Sequence, residues 1–521
     1  MDKQLSLGEK PDKRFFGCNA NMWIYALGVM GINFGIGLVN SYQAEFFNKI
    51  MNANLIAIAI IILIAKFISV IADFVIGNLI DRARFKSGKM RPWILISAFP
   101  LAVFTMFSFV YIPFGNEIGK YAYITFVLIL WNVSMTLADI PSQGMLSLVS
   151  KNPEDTNNAA GVANMLKSAA LAMPGLFITV MCMIVGVEKA DKTVYLITAA
   201  VISILGLIFQ LFMYFKCKEQ VVSNTSAGMS FKEMFKELRQ NKQIMIVFLT
   251  YMLGFGRNIG LGIAVQATCI LLRDGLDLSF LGMGVLYGDA CSWAIGVTSA
   301  IASSVTIILN PVINKKLGEK RYFISAGLYG FAISLISFLL YSFGGAPFRS
   351  FWAIWIYQFI FSFAYGPNGY LPMVMTADIV DYQEWKTGKR TEGTQFAILS
   401  MSNKLSNALS VSLGILFIGA IGYSSSDYAA AVDAGRIHEY VTDAMQVKAW
   451  AVYFLLPGLC MLASSLIMFF YKIDEKTKKL MRAELAERRQ QAELATAETA
   501  VEPELAAKTA ADQTDDANGN E

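Results

Sequence analysis

Residues 55–93 read LIAIAIIILIAKFISVIADFVIGNLIDRARFKSGKMRPW. From Leu55 to Ile80 the chain is apolar apart from Lys66, Ser69, Asp73 and Asn78. That run exceeds the roughly 20 helical residues that cross the hydrocarbon core of a bilayer. Arg82, Arg84, Lys86, Lys89 and Arg91 then follow within a few residues, before the next apolar run begins at Trp93. An apolar run closed by a short segment dense in Lys and Arg is the pattern of a membrane span followed by a cytoplasmic loop.

The same alternation continues in both directions. The 521 residues are 55% apolar and 16% charged, with a mean hydropathy of +0.50, which excludes a single soluble domain. Runs long enough to span occur near 22–47, 55–80, 93–113, 121–149, 158–187 and 194–215. After a polar stretch from Lys216 to Lys242, six more occur near 244–272, 280–309, 322–343, 351–381, 394–423 and 450–471. The prediction is an all-α integral membrane protein with twelve transmembrane helices in two six-helix halves, the organisation of the major facilitator fold. A weak internal repeat supports two halves: GNLIDRARFKSGKMR (77–91) compares with NPVINKKLGEKR (310–321). The plan is then a cytoplasmic segment 1–21, a first half 22–215, a central loop 216–243, a second half 244–472 and a polar, partly disordered tail 473–521.

Lys and Arg in the loops after spans 2, 8 and 10 and after span 12 place those segments and both termini in the cytoplasm, in the cell membrane. The first residues, MDKQLSLGEK, lack the apolar core of a cleaved signal peptide. The net charge of +4 resides in loops and favours contact with a lipid bilayer over nucleic acid. Six scattered cysteines and one histidine, His438, make no triad or metal pattern, and no Walker glycine loop is present. No cofactor and no enzymatic activity are expected, and the chain is expected to act as a monomer.

Ionisable residues inside spans are expensive and mark function by default. Lys66, Ser69 and Asp73 recur at steps of three and four on one face of span 2, with Asp73 a candidate for a coupling cation or proton. Thr136, Asp139 and Gln143 repeat this on span 4, beside Pro141, which frees a backbone acceptor. A carboxylate such as Asp139 accepts two sugar hydroxyls at once. Lys404 on span 11 and Arg257 on span 7 are donors that could hold a substrate or neutralise Asp73 or Asp139. Tyr365 and Tyr370, among Gly366, Pro367 and Gly369, suggest a broken helix opening on a cavity. At the cytoplasmic ends, Asp81, Arg82, Arg84 and Arg91 face Asp378, Asp381, Glu384 and Arg390 in the other half. Opposite charges there form a candidate gate between halves, against the simpler reading that they only set topology.

DRARFKSGKMRPW (81–93) and ADIVDYQEWKTGKRTEG (377–393) together resemble the glycoside-pentoside-hexuronide:cation symporters, the family of the melibiose carrier, over residues 15–475. The resemblance implies sugar symport coupled to co-transported sodium or a proton. It matches Asp73 and Thr136 to the family's cation site, Asp139 to its sugar-binding carboxylate and Lys404 to a cavity lysine. Departures are equally specific. Ser69 stands for a carboxylate and Ala72 for an amide, which weakens sodium and leaves a proton through Asp73, or no coupling. Asn33 replaces a carboxylate, Gln143 and Gly369 replace tryptophans, and Asn164 replaces an arginine. With Arg257 and Lys404 retained, an anionic substrate such as a hexuronide fits better than a galactoside. The expected activity is therefore secondary transport of a glycoside or related sugar by alternating access. The rival readings are a carrier of an amphipathic lipid and a membrane sugar sensor that does not transport.

Overall fold

The computed structural model describes residues 19–83, 85, 88, 90–146, 148–149, 153–187, 190–219, 236, 238–273, 275–277, 285–286, 289–388, 392–474, 476–481, 483–485 and 487. The first half comprises α1 (Ala20–Lys49), α2 (Leu55–Arg82), α3 (Arg91–Phe107), α4 (Glu117–Leu146), α5 (Pro153–Val185) and α6 (Lys192–Lys216). The second comprises α7 (Lys242–Leu253), α8 (Ile259–Leu271), α9 (Asp289–Leu317), α10 (Glu319–Phe343), α11 (Phe351–Ser362), α12 (Tyr365–Thr387) and α13 (Glu392–Ala420), then α14 (Ser425–Asp433), α15 (Ile437–Tyr440), α16 (Asp443–Trp450) and α17 (Leu456–Met468).

Side-chain caps begin the helices where the sequence changes from polar to apolar. Asn54 accepts from the amides of Ile56 and Ala57, and Asp191 accepts from those of Thr193 and Val194, which satisfies donors the first turn leaves open. The helices are then inverted relative to a soluble protein. On α2 the exposed residues are Ile56, Ile60, Ile64, Phe67, Ile71, Val75 and Leu79, an apolar stripe recurring every three to four positions. Only lipid tolerates such a stripe, and the polar Ser69 and Asp73 turn inward instead.

Among the described residues, seven helices are long and apolar enough to cross a membrane, and two bent pairs raise the number to nine. Shorter apolar helices, Arg91–Phe107, Ile295–Thr306 and Phe351–Ser362, fall at expected spans 3, 8 and 10. Two details differ from the sequence reading. Span 7 is broken: α7 and α8 flank a 3-10 turn, Gly254–Asn258, with a 40° bend. Span 8, expected from residue 280, begins at Asp289, after a short antiparallel pairing of Leu276–Asp277 with Val285–Leu286. Past Tyr471 the tail runs as a helical extension, in residues 476–481 and 483–485, before the described chain ends at residue 487.

Within the first half α1 packs on α5 and α6; within the second α10 packs on α17. Close approach uses small residues: a Cβ added to Gly37 would lie 2.9 Å from the carbonyl oxygen of Leu171 on α5. The halves meet where α2 packs on α13, α5 on α9, and α1 on α8 and α14. At the end of α1, Ser425 Oγ donates to Glu45 Oε2 at 2.6 Å and the Ser425 amide donates to Asn48 Oδ1, so a buried carboxylate meets the N-terminus of α14. Nearby, Tyr42 and Ser292 share a hydrogen bond of 2.8 Å from α1 to α9.

The polar seam between the halves as a candidate functional site

The seam has two distinct parts. The first lies where α2 meets α4 and α13. Lys404 Nζ lies 2.5 Å from Asp73 Oδ1, with 21% and 18% of the two side chains exposed. On the same face Ser69 Oγ and Thr136 Oγ1 share a 3.2 Å hydrogen bond, and Thr136 also hydrogen-bonds the Asp73 side chain. Two hydroxyls and one carboxylate thus face one ammonium, an arrangement that neutralises both charges inside the membrane.

The second part is a cavity of about 430 Å³ lined from both halves by α1, α5, α7, α8, α9, α11, α12, α13 and the π-helical segment Ala451–Leu455. That size suits a small polar ligand. Many hydroxyl and amide side chains stand in its wall: Ser41, Ser168, Ser299, Ser303, Asn258, Gln358 and Asn403, with Tyr42, Tyr251, Tyr365 and Tyr453. Among the described residues Arg257 is the one charged group in that wall.

The break in span 7 puts Arg257 there. Gly256 packs so tightly on Cys460 and Pro457 that a Cβ would come within 2.7 Å of Cys460, and the turn unwinds around it. Ser410 on α13 donates to the Phe255 carbonyl in the unwound turn, which keeps that oxygen satisfied. Arg257 donates from one terminal nitrogen to the Asn368 carbonyl (3.1 Å) and from the other to Asn403 Oδ1 (3.3 Å), and its guanidinium carbon lies 4.3 Å from the Tyr251 ring centroid. These partners are neutral. They fix the plane of the guanidinium and leave several of its five donors for a ligand.

The remaining sequence candidates distribute as follows. Asp139 accepts from Gln143 Nε2 at 2.7 Å one turn along α4, and Asn33 turns its amide onto the Val29 carbonyl of its own helix at 2.8 Å. Neither Asp139, Gln143, Asn33 nor Lys404 lines the central cavity among the described residues. The break predicted near Tyr365 lies at Phe363–Ala364, between α11 and α12, and Tyr365 lines the cavity. The Tyr370 side chain, the side chains of Asp81 and Arg82, and Arg84 and Arg390 altogether lie outside the described residues. Arg91 donates twice to the Tyr214 carbonyl, at 3.1 and 2.7 Å, which joins α3 to α6 within the first half. Asp378 accepts from Lys478 of the tail helix at 2.6 Å, and Lys478 also meets Glu319 at 2.5 Å. Asp381 and Glu384 lie half-buried on the last turns of α12.

Several residues here were missed by sequence reasoning. Glu45 falls inside the first expected span, 22–47, without being singled out, and the serines of the cavity carry no charge to mark them. Lys478 reads as one more loop lysine. The glycines of GFGRN were a legible sign of the span 7 break.

A family model for MFS/sugar transport proteins matches residues 24–475. The chain is similar to a putative 2,3-dihydroxypropane-1-sulfonate exporter of Salmonella typhimurium, at 26% identity over 77% of this chain and 83% of the relative. It is also similar to a putative sulfoquinovose importer of Escherichia coli, at 27% identity over 91% of this chain and 95% of the relative. A crystal structure of a mutant of the nucleoside transporter NupG superposes with a TM-score of 0.59 at 12% identity, over 86% of this chain and all of that one, which supports the fold. With apolar helices in two halves around a polar seam, and a family match over most of its length, the chain belongs to the MFS/sugar transport protein family.

Proposed function

We propose that this transporter carries a small polyhydroxylated organic anion, a sugar acid or sugar sulfonate, by alternating access coupled to a proton through Asp73. The observation that carries the cargo reading is the cavity wall: many hydroxyls and amides, one guanidinium and no described carboxylate. A guanidinium takes an oxyanion with two parallel hydrogen bonds, and the surrounding Ser, Asn and Gln side chains suit hydroxyl groups. Relatives whose names give a dihydroxypropane sulfonate and sulfoquinovose as cargo agree with that chemistry.

The coupling reading rests on the Asp73–Lys404 pair. Any cation bound by Asp73 competes with the ammonium already there. One carboxylate with two hydroxyls makes a poor cage for sodium, which favours several oxygen ligands, but it suits a proton. In the cycle, protonation of Asp73 would release Lys404 and loosen α2 from α13, so that cargo and proton cross together.

The test is uptake of labelled glucuronate, a 6-sulfonated glucose and neutral glucose into proteoliposomes under imposed proton or sodium gradients. Proton-driven uptake of the anions, with Arg257→Gln weakening it roughly 10- to 100-fold, is expected from the loss of a charge-assisted hydrogen bond pair. Uptake of neutral glucose in preference to both anions would overturn the cargo reading, and dependence on sodium alone would overturn the proton.

A further inference from the structure

A second, much smaller pocket lies between α1, α2, α4 and α13, apart from the cargo cavity, and shares no residue with its wall. Its open volume is about 10 Å³, room for one water-sized species. Lys66 lines it from the most apolar span of the chain, and Gln43 and Asn40 line it from α1. Trp131 and Asn132 of α4 and Val411 and Ile415 of the second half also line it, and no carboxylate contributes to it among the described residues.

Two donors here are poorly satisfied. Lys66 Nζ has one long hydrogen bond, 3.4 Å, to Asn40 Oδ1. Gln43 is buried, and its Nε2 has no partner among the described residues. An ammonium within a membrane without a counter-charge is costly, and a buried amide donor without an acceptor adds to that cost. A bound water would accept from both groups, yet it would leave the charge unbalanced. A monatomic anion accepts from both and cancels the charge; chloride, somewhat larger than water, fits once the flexible Lys66 stem draws back slightly.

We infer that this pocket is a binding site for a single halide ion, chloride under ordinary conditions, held by Lys66 Nζ and Gln43 Nε2. Because residues of both halves form the wall, the ion stabilises the arrangement in which α2 packs on α13. Both donors belong to the first half, and Val411 and Ile415 close the site over the ion from the second, apart from the cargo cavity.

The experiment uses the full chain in detergent, melted in acetate buffer with increasing chloride or bromide at constant ionic strength. Saturable stabilisation by halide is expected for the wild type, with the halide concentration for half effect raised at least about 10-fold by Gln43→Leu and the response lost in Lys66→Met. Crystals grown in bromide should give an anomalous peak between these two side chains. A wild-type melting temperature indifferent to halide, or a bromide crystal with only water-like density in the pocket, would overturn the site. If Lys66→Met fails to fold, the wild-type titration and the bromide peak still decide.

Discussion

Lys404 Nζ approaches Asp73 Oδ1 to 2.5 Å from the opposite half of the molecule, so an ion pair ties span 2 to span 11 inside the membrane. Removing one partner strands a charge, whereas removing both does not. Asp73→Asn or Lys404→Gln alone should lower the unfolding free energy by about 2 kcal/mol, discounted from the fully buried case because both side chains are partly exposed. The double variant should recover most of that loss. In vesicles, Asp73→Asn should abolish accumulation against a gradient while solute counterflow survives. Retained accumulation would remove Asp73 from the coupling step.

Glu45 and Ser425 close one end of the seam, and the proposed cycle must open it. With Glu45→Cys and Ser425→Cys together, an oxidised cross-link should arrest transport, and reductant should restore it to the level of the uncross-linked double variant. Continued transport by fully cross-linked protein would show that this contact stays closed throughout the cycle.

Lys478 lies buried against Asp378 and Glu319. Burial works against its ammonium, but the two carboxylates outweigh this and hold its pKa above the ordinary lysine value. A raised lysine contributes stability in full below its unfolded pKa, and that contribution fades only as pH rises through the higher folded value. The difference in melting temperature between wild type and Lys478→Gln should therefore stay constant from about pH 8 to about pH 10 and shrink only in stronger base. At pH 8 the variant should lose about 3 kcal/mol, since two adjoining carboxylates are left without this cation.

Gly37 sits against backbone, not a movable side chain: an added Cβ would lie 2.9 Å from Leu171 O and 3.0 Å from Leu171 Cα. Gly37→Ala should force α1 from α5 and cost about 1–3 kcal/mol. Expression and melting temperature measure it, and a neutral result would mean that the two helices can separate freely here.

The spans were legible because lipid imposes one rule on every exposed helix face, and Leu55–Ile80 obeys it residue by residue. Lys66, Asp73, Arg257 and Lys404 were legible as candidates for the same reason, since charge in such runs is rare. Their partners were not. Asp73 and Lys404 are separated by most of the chain, and nothing local distinguishes a cross-half pair from Lys404 holding the cargo. Gln143 illustrates the converse: its step of four from Asp139 predicted proximity, which the 2.7 Å bond bears out, but not which cavity the pair would face. The start of span 8 was misread because residues 280–286 are as apolar as a helix yet lead into a two-residue strand, and hydropathy alone does not separate the two.

The contact of Lys478 with Asp378 and Glu319 also orders the making of the protein. Spans 9 and 10 enter the membrane well before the ribosome reaches Lys478, and until span 12 has been threaded behind them their acidic ends lack this cation. The second half is therefore completed after its last span, by the segment that follows it. A chain cut just beyond Tyr471 would insert every span and still present an unfinished face to the quality-control machinery of the cell.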